Sequence, residues 1–193
     1  QFLIMPPNRT IISALLLLFL LSCQSAKQDS VVFRESITFP VDQKPKNIVL
    51  MVGDGMGLSQ VSALLYSNSN RMELEKFPVI GFHKPYSADN LITDSAAGAT
   101  AFACGVKTYN GAIGLTADTL PTPSIIEEVE MQGMATGLVV TSTVNHATPA
   151  AFYAHQKVRI LFDQIAADLL NTEIDFVVGG GKRYFDNREI DDR

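Results

Sequence analysis

Tryptophan is absent, and only two cysteines and three histidines occur in 193 residues. Cys23 and Cys104 cannot build a multi-disulfide scaffold, and they lack zinc-finger spacing. The chain has no block of Lys or Arg that would grip a phosphate backbone. With a formal net charge of −5, it gives no basis for nucleic-acid binding. No apolar run is long enough to span a bilayer of ~30 Å as a helix of ~20 residues. What is present is a composition of 47% hydrophobic and 18% charged residues, which belongs to an ordered globular chain. The length suits one domain with room for a small extra lobe.

The amino-terminal segment reads as an address. With Met5 taken as its start, Arg9 supplies the positive end and Ile11–Leu21 the apolar stretch of a secretory signal. Leu20-Leu21-Ser22-Cys23 resembles a bacterial lipobox, in which the Cys becomes the acylated first residue. A plain signal peptide with an incidental Cys23 is the alternative. Either reading predicts export, as a periplasmic protein or a lipoprotein whose lipidated Cys23 contacts the membrane. Cys104 is then left without a partner and reads as a small buried apolar residue. Residues 24–46 read as a polar tether with a short strand near 36–39.

From residue 47 onward the pattern alternates. Asn47–Val52 is a continuous apolar run before Gly-Asp-Gly, which predicts a strand buried on both faces. Helices are predicted at Leu58–Ser67 from its spacing, at Ser95–Cys104 as a helix-compatible run of small residues, at the amphipathic Ser124–Gln132 and at Ile160–Leu170. Pro123 and Gly133 punctuate the third of these. Further strands are predicted at Val79–His83, Gly137–Thr141 and Asp175–Val178, and Asn110-Gly111 marks a tight turn. Strand and helix in alternation predict an α/β fold with a mostly parallel sheet between helical layers.

Ligands in such sheets bind at the carboxyl ends of the strands, and three of those ends carry chemistry. The first is Gly53-Asp54-Gly55-Met56-Gly57. It fails the dinucleotide pattern because Leu58 stands where a third Gly is needed. Asp54 suits a hard cation, or it caps the next helix. The second is Thr93-Asp94-Ser95-Ala96-Ala97-Gly98. A Ser opening a helix through small residues lets a bulky anion approach, although a plain N-cap explains the same letters. The third is Asn145-His146-Ala147-Thr148. In extended backbone His146 and Thr148 share one face and could point at one metal, while a lone His is commonly structural. Arg159 lies eleven residues beyond Thr148 and could hold two phosphate oxygens, or sit as a solvated helix-face charge. Gly179-Gly180-Gly181-Lys182 is not a P-loop, because Phe176 and Arg183 occupy its essential Gly and Ser/Thr positions. It reads as a flexible turn.

Together and in this order, NIVLMVGDGMG, TDSAAGATAFACGVKTYNGAIG, VNHATPAAFYAHQKVR and DFVVGGGKRYF resemble the N-terminal part of an alkaline phosphatase. The resemblance covers nearly all of residues 47–186. It implies a three-layer α/β/α sandwich, incomplete at the C-terminus. It implies Ser95 as the nucleophile that becomes phosphoserine, Asp94 as the residue positioning an arginine, and Arg159 as the phosphate-binding arginine. It implies Asp54 as a ligand bridging zinc and magnesium, Ser95 as a zinc ligand, and Thr148 as a magnesium-site ligand. His146 falls where the family carries Asp or His, so the third site would take magnesium or, with its softer nitrogen, zinc. Two zinc ions would activate the weak serine nucleophile and clamp the attacking and leaving oxygens. Phosphate monoesters are the implied substrates, and a homodimer is an allowed assembly.

The ligand count falls short of that expectation. His83 and His155 fall in no assigned motif, and the resemblance implies that the remaining zinc ligands and one magnesium Glu come from a later half. The chain therefore reads as a truncated piece, expected to bind zinc poorly and turn over negligibly alone. Competing expectations are a phosphodiesterase, sulfatase or phosphomutase of the same superfamily, or a non-catalytic lipid-anchored phosphate-binding relative.

Overall fold

The computed structural model describes residues 45–186. The signal segment 1–23 with Cys23, and the strand expected near 36–39, lie outside the described residues. Those residues form a mixed α/β arrangement, with helix α1 at Leu58–Ser67, a 3-10 turn at Glu73–Lys76, α2 at Ser95–Cys104 and α3 at Ile125–Glu130. Strand β1 follows at Gly137–Thr143, then α4 at Ala147–Ala150, α5 at Phe162–Leu170, β2 at Phe176–Gly180 and α6 at Arg183–Asp186.

Each helix has a local reason to start and stop. Gln60 reaches back to the Gly57 N–H at 3.1 Å and opens α1. In α2 the Asp94 carboxylate accepts from the Ala97 N–H at 2.9 Å, and Gly105 in the left-handed region (φ 70°) ends the helix. Ser124 and Glu127 form a reciprocal capping box at α3, at 2.7 and 3.3 Å. The Ser124 hydroxyl also donates to the Phe152 carbonyl at 2.6 Å, which ties α3 to the turn after α4.

Strands β1 and β2 pair in parallel, with Gly137 opposite Phe176 and Val139 opposite Val178. The crossover between them carries α4 and α5, the arrangement that a parallel pair requires. The glycines read as a flexible turn are in fact partly sheet: Gly179 and Gly180 belong to β2, and only Gly181 turns (φ 109°). A Cβ at Gly179 would sit 2.6 Å from Val140 Cγ2, so close strand packing explains that glycine.

The core is built from small residues. Ala96, Ile113, Ala147, Ala150, Tyr153, Ala154 and Ile165 form one cluster, and Ala99, Ala103, Ala151 and Phe152 a second. Alanine on both α2 and α4 lets the two helices pack closely.

Two predicted strands are not formed. Residues 47–52 and 79–83 have no strand partner among the described residues, and Val49 and Phe82 are 84% and 95% exposed. A strand is stable only when its backbone N–H and C=O groups find a ladder. The apolar pattern of these runs is that of buried strands, but the only ladder among the described residues is β1 with β2.

Candidate active site

Asp94 is the pivot of the site. Its Oδ1 starts α2, and its Oδ2 accepts from Arg159 Nη1 at 3.0 Å. Both side chains are about three-quarters shielded, so this pair is screened less than a surface ion pair. Ser95 is half-buried at the first position of α2, and its hydroxyl has no hydrogen-bond partner among the described residues. The N-cap reading of the Asp94-Ser95 letters therefore holds. The carboxylate is the cap, and the hydroxyl beside it is uncommitted.

Arg159 is not a solvated helix-face charge. It precedes α5 in a turn, and its backbone N–H donates to the Gly111 carbonyl at 2.8 Å. Its Nη2 lies 3.4 Å from His146 Nε2, a long contact in which the guanidinium can only donate.

Asp54 sits in the turn closed by Met56 N–H to Gly53 C=O at 3.0 Å. It does not cap α1, because Gly57 takes the N-cap position. Its Oδ2 instead accepts from the Thr148 hydroxyl at 2.7 Å, across 94 residues of sequence. His146 and Thr148 do not share an extended face as the spacing suggested. His146 is the N-cap of α4 and Thr148 lies inside that helix, so one faces Arg159 and the other Asp54. The cause is local: after His146 the chain enters the helical turn Ala147–Ala150.

An open cleft of about 710 Å³ is lined by Asp54, Thr93, Asp94, Ser95, Gly98 and Thr148. Arg159 and His146 do not line it and are joined to it through Asp94. The Asp54 and Thr148 oxygens suit one hard cation. No cluster of three or more His, Cys, Asp or Glu capable of holding a metal forms among the described residues. The donors present thus fit part of a magnesium-type site and do not fit a closed zinc site.

Comparison with known proteins gives the family to which these motifs belong. The alkaline phosphatase family model matches residues 45–193. The chain belongs to the alkaline phosphatase family. Alkaline phosphatase 4 of Bacillus subtilis is 40% identical over 159 residues, covering 75% of this chain and 34% of that protein. The alkaline phosphatase of Schizosaccharomyces pombe is 41% identical over 152 residues, 72% of this chain and 28% of that one. The solved alkaline phosphatase of the Antarctic bacterium TAB5 superposes with a TM-score of 0.74 at 45% identity, covering 76% of this chain and 43% of that structure. A histidine-to-glutamate variant of the TAB5 enzyme, with Mg bound in its M3 site, superposes at 0.68 with 46% identity, covering 70% and 39%. The α/β fold is thus that of the alkaline phosphatases. The chain spans about a third of the length of the curated relatives it matches.

Two residues carry more than their sequence signal suggested. His155 lies between the Gly114 carbonyl (Nδ1, 2.7 Å) and Glu127 (Nε2, 3.0 Å). Burial opposes its charged form, but Glu127, the Gly114 carbonyl and the field of Asp168 outweigh that and raise its pKa. Asn110 reads as a turn residue, yet its side chain reaches the approach to Ser95 on both sides. Cys104 matches its plain reading: it is half-buried, and burial, followed by Glu127 and Glu128, pushes the thiol up to about 11.

Proposed function

We propose that this chain is the nucleophile-bearing N-terminal part of an enzyme that hydrolyses phosphate monoesters through a phosphoserine at Ser95. The observation that carries the reading is the Asp94 carboxylate, shared between the start of α2 and Arg159, directly beside an uncommitted serine hydroxyl on a cleft wall. A phosphoryl group over Ser95 meets the N-terminus of a ten-residue helix, whose unpaired N–H groups and dipole favour negative charge. Arg159, joined to the cleft through Asp94, would offer the guanidinium N–H groups not engaged by Asp94 to non-bridging phosphate oxygens. Asp94 fixes the orientation of that guanidinium.

Ser95 Oγ attacks phosphorus as the ester P–O bond breaks, and the alcohol leaves with a proton. Water then attacks the phosphoserine, releasing inorganic phosphate and restoring the hydroxyl. Phosphoryl transfer demands mainly position and charge stabilisation, and these residues supply both. Asp54 and Thr148 would hold a hard cation such as magnesium, and His146 would join them only by turning away from Arg159. Bound zinc, completed by ligands from further along the polypeptide, would lower the pKa of the serine hydroxyl and stabilise charge on the attacking and leaving oxygens.

The test is hydrolysis of a chromogenic phosphate monoester by the complete enzyme, with and without chelator, for wild type and Ser95→Ala. Both chelation and the substitution should cut turnover by at least ~10³-fold. Unchanged Ser95→Ala turnover would refute the assigned nucleophile. Phosphate binding with no turnover by the wild type would support a non-catalytic relative instead.

A further inference from the structure

The turn at Tyr109–Ala112 ties together three parts of the site that are far apart in sequence. Asn110 Oδ1 accepts from the Asp94 N–H at 3.0 Å, and its Nδ2 donates to the Ile92 carbonyl at 2.9 Å. The amide therefore straddles Thr93 and takes the two backbone groups that a neighbouring parallel strand would take. The Asn110 N–H is itself anchored by Asp89 Oδ1 at 3.0 Å, which also accepts from Ser87 Oγ at 2.8 Å. One residue on, the Gly111 carbonyl accepts the Arg159 N–H at 2.8 Å. Gly111 adopts φ 93°, which only glycine reaches without strain. Beyond it, Ile113 exchanges both backbone hydrogen bonds with Gln156 at 2.9 Å. The buried Thr100 hydroxyl of α2 donates to Ala112 C=O at 3.3 Å and accepts from Gly114 N–H at 3.1 Å. The turn is thereby fastened to the helix that Ser95 opens.

We propose that Asn110 is a positioning residue for Ser95, its side-chain amide holding the Ile92–Asp94 backbone at the spacing that aims the serine hydroxyl, in register with Arg159 through the same turn. The inference rests on the reading of Ser95 as nucleophile. Without the amide, the segment entering α2 keeps its cap from Asp94 but loses its lateral tether. A displacement of ~1 Å at a reacting atom is enough to cost about 100-fold in rate. The Gly111–Arg159 bond is backbone to backbone, so it survives a side-chain change. Phosphate binding should then survive while phosphoryl transfer suffers.

The experiment compares wild type, Ser95→Ala and Asn110→Ala in the complete enzyme. It measures single-turnover phosphorylation per active site, inhibition by inorganic phosphate, and Tm. Asn110→Ala should slow phosphorylation by roughly 10- to 100-fold, with phosphate inhibition within about threefold of wild type. A wild-type phosphorylation rate overturns the proposal, even if Tm falls, because that is the signature of a merely structural turn. Loss of phosphate binding in proportion to rate also overturns it. Should Asn110→Ala not fold, Asn110→Asp serves the same test, since it keeps the acceptor for Asp94 N–H and loses the donor to Ile92. A reduced rate with intact phosphate inhibition supports the proposal, and a wild-type rate overturns it. If wild type shows no phosphorylation, or Ser95→Ala retains it, the nucleophile assignment fails and not the role of Asn110 alone.

Discussion

Residues 95–115 and 147–166 keep their apolar side chains largely out of water, whereas no residue of 45–86 is buried. Both regions are rich in apolar residues, so hydrophobicity does not separate them. The difference lies in where each finds its contacts. In the first, alanines on α2 and α4 close on each other, and loop backbone is satisfied by nearby side chains such as Thr100, Ser124 and His155. In the second, Ile48–Val52 has the composition of a central strand and no ladder among the described residues. The half of the candidate site on α2, Ser95 with Asp94, is therefore rigidly supported. The half carried by Asp54 reaches the rest through its hydrogen bond to Thr148.

Truncations test this contrast most strongly. Ile165 is fully buried, and Ile165→Ala should cost about 2–5 kcal/mol. Val49→Ala, at an exposed position, should stay within about 0.5 kcal/mol. Urea titration of both variants checks this, and equal losses would show that residues 47–52 are packed in solution.

Glycines sharpen it next. A Cβ at Gly114 would stand 2.1 Å from the Ala154 carbonyl oxygen at φ 59°, while one at Gly55, at φ 68°, meets nothing within 4 Å. Gly114→Ala should lose about 2–4 kcal/mol, from overpacking together with the left-handed backbone. Gly55→Ala should lose only the conformational part, about 1 kcal/mol. Thermal melts of the two should separate clearly.

The smallest effect concerns pH. The pKa of His155 is raised above 6.5, so its stabilisation is complete below that value and fades as pH rises through the raised pKa. Glu127 is the mirror case. Burial works against its carboxylate, but the contacts with His155 and Ser124 lower its pKa below 4.5, so its contribution is lost only as pH falls through the lowered value. Between these limits the imidazolium satisfies Gly114 and Glu127 together. Above them a neutral ring can donate to only one. Stability should fall by about 1 kcal/mol on going from pH 6 to pH 9, and His155→Gln should flatten that slope in melts across the range. An unchanged slope would remove His155 as its source.

How much was legible in the sequence follows the same division. Helix α1 stands where its spacing put it, α2 fills the small-residue run read as helix-compatible, and α3 lies inside its Pro123 and Gly133 punctuation, because such signals are local. GLVVT and DFVV became β1 and β2, each running slightly further than expected. The run at 47–52 had the right pattern but no ladder, which no local pattern can supply. Candidate residues were legible as letters, but their pairings were not. Asp54 with Thr148, Asp94 with Arg159 and Asn110 with Asp94 join positions 16 to 94 residues apart. Spacing arguments reach only a turn or two, which is why His146 and Thr148 were placed on one face and in fact look in different directions.

The Asp94 carboxylate has a consequence for how this site can change. One oxygen serves folding and the other serves charge, yet an amide could keep the first duty and abandon the second. Position 94 thus works as a dial on which polarity can be altered while the helix behind Ser95 still forms. A lineage could take that step without first passing through an unfolded ancestor.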